Sequence, residues 1–134
     1  MQIPDFKCKI DVLCTINPSE DPSKVKEAIS NVLPRIEIHT SNNSLEATSQ
    51  NLEVLSNIFD AINSRKTYRV YRRCLTKNRR DDSTWFYLNK QAAFVEKIAI
   101  CEKADESPLG PIKVILTSSN IDRIIDWIIS GDYD

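Results

Sequence analysis

Cationic side chains are concentrated in one short stretch of this chain, residues 65–80, and such closely spaced positive charge attracts polyanions. The stretch holds eight cations and no acidic residue. The whole chain of 134 residues has 18 Lys and Arg against 19 Asp and Glu, so its net charge of −1 conceals a strongly polarised distribution. The eight cations are Arg65, Lys66, Arg69, Arg72, Arg73, Lys77, Arg79 and Arg80.

Arginine outnumbers lysine in this stretch, which favours phosphate groups as the partner. A guanidinium group forks onto two phosphate oxygens, whereas lysine acts as a point charge. Helical spacing would put four arginines on one face, opposite an apolar stripe of Tyr68, Tyr71 and Leu75. Those four are Arg65, Arg69, Arg72 and Arg73. The alternative is a solvated helix whose arginines pair with acidic groups elsewhere. Asp81 and Asp82, which follow, either neutralise the last arginines or are solvated in a turn.

A run of aromatic residues follows the basic stretch. Residues 84–88 are Thr-Trp-Phe-Tyr-Leu, a β-prone sequence that predicts a strand. If Trp85 or Tyr87 is exposed on that strand, its ring can stack on a nucleobase. The alternative is that other parts of the fold cover both faces of the strand.

The sequence contains no motif of a known catalytic chemistry. It lacks a Gly-rich phosphate loop, a Gly-x-Ser-x-Gly string and a His-Glu metal motif. Its single histidine, His39, and four cysteines without CxxC spacing do not make a usual zinc ligand set. We therefore predict no catalytic residue, no metal and no cofactor.

Length and composition predict one domain over residues 1–134, because a chain of this size with 41% hydrophobic residues can bury one real core. No run of 18 apolar residues exists, which argues against a membrane span. The first residues lack the apolar centre of a signal peptide. The sequence therefore predicts a cytoplasmic protein.

The first half of the chain has clear periodicity. Alternating apolar residues over 6–16 predict a strand. Asp21 as N-cap and Pro22 at the first helical position predict a helix that ends before Pro34. Two short apolar alternations around the polar turn 41–44 predict a hairpin.

The second half adds the layer that must position the basic stretch. A helix that begins near Ser49 or Asn51 is predicted to continue, with a bend at 63–64, into the basic helix. Three short strands follow, and a last helix begins at Asn120 with Trp127 off its apolar stripe and Gly131 at its end. This order predicts an α+β two-layer sandwich, with a mostly antiparallel or mixed sheet and helices packed on one face.

Two strings in the second half carry a family resemblance. They are Leu88-Asn89-Lys90-Gln91-Ala92-Ala93 and Glu106-Ser107-Pro108-Leu109-Gly110-Pro111-Ile112. With the opening strand, the turn at 17–20 and the Arg-rich helix, they resemble an uncharacterised archaeal protein family, number 0201, over nearly the whole chain. The resemblance implies a fold similar to large-subunit ribosomal protein five, and RNA binding. Where a glycine is expected after the Gln-Ala-Ala turn, this chain has Phe94-Val95-Glu96.

The same resemblance makes Asn89, Lys90, Gln91 and the loop 107–111 candidate site residues. The amide side chains can hydrogen bond to base edges, the lysine supplies charge, and prolines stiffen the loop. The alternative is structural: buried polar groups that satisfy the backbone, and a rigid connection between strands.

The leading hypothesis is a non-catalytic RNA-binding domain. Its Arg-rich helix and following turn would contact the phosphates of structured RNA, with added contacts from Trp85, Tyr87 or Lys90. The alternative is a protein-interaction or assembly subunit that docks an acidic partner through the same basic face. A homodimer through a sheet edge is also open.

Overall fold

Six strands and five helices make up residues 3–130, the part of the chain that this computed structural model describes. The strands are β1 (Lys9–Thr15), β2 (Glu37–Thr40), β3 (Ser44–Ser49), β4 (Ser83–Leu88), β5 (Ile100–Cys101) and β6 (Ile112–Thr117). The helices are α1 (Pro22–Val32), α2 (Ser56–Arg65), α3 (Tyr68–Lys77), α4 (Lys90–Phe94) and α5 (Ile121–Ser130). Short 3-10 turns span Leu52–Leu55 and Ala104–Glu106.

The six strands form one sheet in the order β2-β3-β1-β6-β4-β5, and each neighbouring pair is antiparallel. The hairpin predicted around 41–44 is the β2–β3 pair. Asp21 caps α1 as predicted, because its carboxylate accepts a hydrogen bond from the Ser23 backbone N–H at 3.0 Å. The predicted α+β fold is confirmed, with a sheet that is antiparallel throughout.

The sheet has one buried face and one open face. On β1, Ile10 and Val12 point into the core beneath the helices, while Leu13 is 41% exposed on the other side. The same alternation continues on β6 and β4, where Val114 and Phe86 are buried. Because side chains alternate along a strand, every second residue of these strands lies on the open face.

Helix α5 is more deeply buried than its sequence predicted. Trp127, expected off the apolar stripe, is fully buried, and its ring stacks on Phe59 with centroids 5.6 Å apart. Helical periodicity predicts burial on one side of a helix only, whereas α5 packs against both α2 and α3. The predicted end of this helix at Gly131 lies outside the described residues.

The basic stretch is not one continuous helix. Helix α2 ends at Arg65, Lys66 adopts a left-handed backbone with φ of 54°, and α3 begins at Tyr68. Arg65 is therefore separated from the face of α3 with which helical spacing had grouped it. On α3, Tyr71 is buried as predicted, whereas Tyr68 is 38% exposed.

Candidate nucleic-acid interface

Helix α3 turns its apolar side inward and its cationic side outward. Tyr71, Cys74 and Leu75 are buried against the rest of the fold, and α3 packs on β4 and α5. Burial raises the pKa of the Tyr71 hydroxyl, which accordingly stays neutral. All eight cations of residues 65–80 are exposed. We call these eight side chains the basic face.

Three arginines of the basic face form ion pairs within the protein. Arg72 Nη1 lies 3.3 Å from Asp126 Oδ1. Arg79 Nε lies 2.9 Å from Asp122 Oδ1. A guanidinium group has five N–H donors, so each paired arginine keeps donors that point to solvent.

Arg73 is the most strongly held of the three. Its Nε donates to Glu102 Oε1 at 2.8 Å, and its Nη2 contacts the same oxygen. These hydrogen bonds raise the pKa of Arg73, so the group stays charged. The alternative in which arginines pair with acidic groups therefore describes part of the basic face.

Two further arginines bond to backbone carbonyls. Arg65 Nη1 donates to Ile98 O at 3.3 Å. Arg80 Nη1 donates to Lys77 O at 3.1 Å and to Arg79 O at 2.7 Å. Because the last carbonyls of a helix carry partial negative charge, Arg80 stabilises the end of α3.

The remaining cations are Lys66, Arg69 and Lys77, and within residues 3–130 none of them has an ion-pair partner. Among the described ion pairs, neither Asp81 nor Asp82 neutralises Arg79 or Arg80, because Arg79 pairs with Asp122 and Arg80 bonds to backbone carbonyls. Asp81 has a left-handed backbone with φ of 54°, and the carbonyl of Asp82 accepts the Ser118 N–H at 2.8 Å.

Lys90 lies inside the protein, not on its surface. Its side chain is fully buried, and its ammonium group donates to three oxygens at 2.8 to 2.9 Å. These are Thr15 O, Glu20 Oε1 and Leu109 O. All three N–H groups are thus used within the fold, which favours the structural alternative for Lys90 over contact with RNA.

Glu20 completes this buried ion pair, although it is not among the residues predicted for the site. Burial by itself would raise the pKa of Glu20, but hydrogen bonds from the Asn17 backbone and side chain and from Lys90 together lower it. The two Asn17 bonds are both 3.0 Å long. The available signal was the turn 17–20, which belongs to the family resemblance.

The loop 107–111 closes the same network. Ser107 Oγ accepts the Lys90 N–H at 2.9 Å and donates to Gly110 O at 2.9 Å. Leu109 and Gly110 have φ of 65° and 93°, and a Cβ on Gly110 would lie 2.8 Å from Thr15 Oγ1. The left-handed backbone therefore places the Leu109 carbonyl where it meets Lys90, and it needs glycine at position 110.

The other two candidate site residues of the first string, Asn89 and Gln91, have local partners. Asn89 Oδ1 accepts the Ala92 N–H at 2.9 Å and so caps α4. Gln91 Nε2 donates to Pro108 O at 3.3 Å, and both Asn89 and Gln91 are half-buried. The two family strings and the turn 17–20 thus meet in one polar network.

The aromatic strand has one covered and one open side. Phe86 is buried and packs edge-on to Tyr71, whereas Trp85 and Tyr87 are half-buried on the open face of the sheet. Lys113 Nζ lies 4.7 Å from the centroid of the Trp85 ring. The two rings predicted to contact RNA are therefore accessible, but on a different side of the molecule from the outward face of α3.

The described residues do not assemble a metal centre. Across residues 3–130 no group of three or more His, Cys, Asp and Glu side chains could hold a metal ion. Burial raises the pKa of the Cys8 and Cys14 thiols to about 11, so neither is a ready thiolate. Nor does any described helix have the length and apolar character to cross a membrane.

One known family and several known proteins resemble this chain over most of its length. A sequence model of a family described as RNA binding matches residues 9–118. The UPF0201 protein of Methanothermobacter thermautotrophicus is 37% identical over 120 residues, which cover 90% of this chain and 89% of the relative. The UPF0201 protein of Sulfurisphaera tokodaii is 35% identical over 124 residues, 90% of this chain and 86% of the relative. The fold and these matches together define the chain as an antiparallel α+β protein of a family that is described as RNA binding.

Solved structures share this fold. A crystal structure of a UPF0201 protein from Methanococcus jannaschii superposes with a TM-score of 0.76 at 27% identity, covering 90% of this chain and 92% of that one. The crystal structure of another UPF0201 protein gives 0.78 at 29% identity, covering 94% and 96%. The chain belongs to the UPF0201 family of archaeal proteins, which confirms the predicted family. The likeness to large-subunit ribosomal protein five stays a prediction.

Proposed function

We propose that this protein binds structured RNA without catalysis, through contacts between the basic face and RNA phosphates. The observation that carries the proposal is the geometry of α3. One side of this helix is anchored in the core, and eight exposed cations lie along its other side and its flanks. The description of the family as RNA binding supports the same partner.

The cations of the basic face have different parts in this proposal. Lys66, Arg69 and Lys77 lack ion pairs within the described fold, so they meet phosphate without first breaking an internal contact. The paired arginines Arg72 and Arg79 are exposed and offer their remaining N–H donors. Phosphate contacts carry no base sequence, which favours recognition by the shape of a folded RNA.

The test is the salt dependence of RNA affinity for Arg69→Gln/Lys77→Gln. The slope of log affinity against log salt is negative. Each phosphate contact that is lost should make it less steep by about one, so we expect the magnitude of the slope to fall by about two. Lys24→Gln/Lys26→Gln removes the same charge from exposed residues of α1 and serves as the matched control. Fluorescence anisotropy with a labelled RNA duplex measures both. Equal slopes for the two variants would show that the basic face is not the RNA site.

An acidic protein partner is the second candidate, and the internal ion pairs favour it. Asp122, Asp126 and Glu102 show that the basic face accepts carboxylates in this geometry. The salt series separates the two functions. A protein that docks only acidic partners will bind RNA weakly even at low salt and will lack a steep salt slope, so the slope of the unaltered protein decides between the two functions.

A further inference from the structure

The open face of the sheet carries rings and cations in ordered rows. Strand register places Trp85 beside Ile115, and Tyr87 beside Lys113. The β1–β6 register places Leu13 next to Lys113 in the same row. Because neighbouring residues in a row point to the same side, these side chains form one continuous surface on β4, β6 and β1.

A groove runs across this surface. Its volume is about 410 Å³, and its lining runs from Tyr87 and Lys113 past Leu13 to Glu46 on β3, without including Trp85. This volume falls within the range of roughly 300 to 1,000 Å³ that is typical of small-ligand sites. At the end formed by Tyr87, Lys113 and Leu13, the ring, the ammonium group and the apolar side chain suit a planar ligand such as a nucleobase, whereas the Glu46 carboxylate at the other end repels phosphate.

The end of the basic face at Arg80 adjoins the start of β4, at the edge between the helix side and the open side of the sheet. Arg80 and Ser83 form a β-bridge, with N–H to O distances of 2.8 and 3.0 Å. Ser83 is the first residue of β4, and Trp85 lies two residues further on the same side of the strand, about 6 to 7 Å along it. A nucleic-acid strand that passes from the basic face around this edge is therefore within reach of Trp85.

Charge divides the open face into two halves. Lys113 lies on the β4–β6 half, and Lys9 and Asp11 offset each other at 3.7 Å on β1. Glu46 and Glu37 lie on β3 and β2. A polyanion is therefore directed to the β4–β6 half, where the rings are.

Lys113 covers the Trp85 ring in the free protein, but this contact is easily exchanged. An exposed cation–π contact is weaker than the stacking of a base on an aromatic ring. A base that displaces Lys113 from the ring leaves the ammonium group beside it, close to the phosphate that the base brings.

We propose that the β4–β6 half of the open face is a second RNA subsite, which takes one or two unpaired bases of the RNA held by the basic face. Trp85 and Tyr87 stack on the bases, and Lys113 contacts the adjoining phosphate. The inference rests on the proposed function, because the basic face supplies the phosphate contacts that bring the RNA to this edge.

The test compares two labelled RNAs: a blunt duplex of about 16 base pairs and the same duplex with a single-stranded uridine overhang. Trp85→Leu/Tyr87→Leu removes the stacking rings and keeps apolar side chains on the strand. We expect affinity for the overhang RNA to fall roughly tenfold and affinity for the blunt duplex to stay within about twofold. His39→Ala, which removes a ring from the acidic half of the same face, is the matched control.

Tryptophan fluorescence of the unaltered protein gives a second readout, which does not require the Trp85→Leu/Tyr87→Leu variant. Of the two tryptophans, Trp127 is fully buried, so quenching of fluorescence by the overhang reports Trp85. Quenching by the overhang RNA but not by the blunt duplex is the expected result. An unchanged affinity for the overhang RNA together with unquenched fluorescence would overturn the subsite.

The outcomes separate this inference from the proposed function. If Arg69→Gln/Lys77→Gln weakens both RNAs and the ring variant weakens neither, the subsite fails and the basic face stands. If neither variant changes affinity, both fail. Should sedimentation show that the ring variant turns a dimer into a monomer with no change in RNA affinity, the open face is instead a contact between two copies.

Discussion

Lys90 is a charged side chain held wholly inside the protein. Removing an ammonium group from water costs several kcal/mol, and the cost is offset only when the charge is paired and its donors are satisfied. Glu20 supplies the charge, and the carbonyls of Thr15 and Leu109 supply the other acceptors. The four groups come from β1, the turn after it, α4 and the loop 107–111, so a single side chain ties separate segments together.

Replacing Lys90 by Met tests this interpretation. The change leaves the Glu20 carboxylate buried without its cation, so we expect the free energy of unfolding to fall by about 3–5 kcal/mol. Urea denaturation measures this. The double variant Glu20→Gln/Lys90→Met removes both charges and should lose less than the sum of the two single changes.

RNA affinity provides the control for that experiment. If Lys90 acts only within the fold, the folded fraction of Lys90→Met binds RNA as tightly as the natural protein. A loss of RNA affinity in a fully folded Lys90→Met would contradict the structural role and return Lys90 to the RNA-binding residues that the family resemblance implied.

At the scale of elements, α3 and α5 form the unit that sets the charge of the basic face. Their apolar sides share the core. Their polar edges meet where Arg72 of α3 pairs with Asp126, and Arg79, just after α3, pairs with Asp122. These ion pairs are exposed, so each stabilises the fold by only about 0.2–1 kcal/mol. The aspartates therefore matter more as competitors of RNA phosphate than as sources of stability.

Asp122→Asn/Asp126→Asn should strengthen RNA binding. Without the competing carboxylates, both arginines are free to fork onto phosphate, and we expect affinity to rise about two- to tenfold at moderate salt. Anisotropy titration measures the change. Asp60→Asn, which neutralises an exposed aspartate of α2, controls for net charge. An equal gain per charge from Asp60→Asn would mean that only the overall field changed.

At the scale of the whole molecule, the sheet separates two chemically different sides. Helices cover one side and present the basic face, and the open side carries half-buried rings at one end and carboxylates at the other. The net charge of −1 is therefore the sum of regions with opposite sign. Such a molecule can attract a polyanion to one surface although its total charge does not.

Acid should unfold this protein through its buried pair. The pKa of Glu20 is lower in the folded chain than its ordinary value of 4.5, so ionised Glu20 stabilises the fold fully above that pH. The stabilisation is lost as the pH falls from 4.5 through the lowered pKa. Thermal melts from pH 7 to pH 3 measure the loss. Glu20→Gln/Lys90→Met should show a shallower decrease below pH 4.5, and an identical decrease would exclude Glu20 as the group responsible.

Much of the fold could be predicted because it depends on neighbours along the chain. Alternation on β1, the Asp21 cap of α1 and the periodic apolar residues of α5 reflect local geometry. The break between α2 and α3 was placed a few residues too early, because a left-handed residue at a helix end is normally signalled by glycine and here is Lys66. Trp127 was misjudged because burial on a second side depends on which helices pack against α5.

The sequence by itself determined the order of the elements apart from the short helix α4, the family, and the concentration of positive charge in residues 65–80. Only the tertiary structure decided which charges meet. Lys90 pairs with Glu20 from 70 positions away, and Arg72 with Asp126 from 54. Periodicity follows from the fixed geometry of a helix or strand, so it is written locally. Pairings across such distances depend on register and packing, which arise only when all the elements are in place.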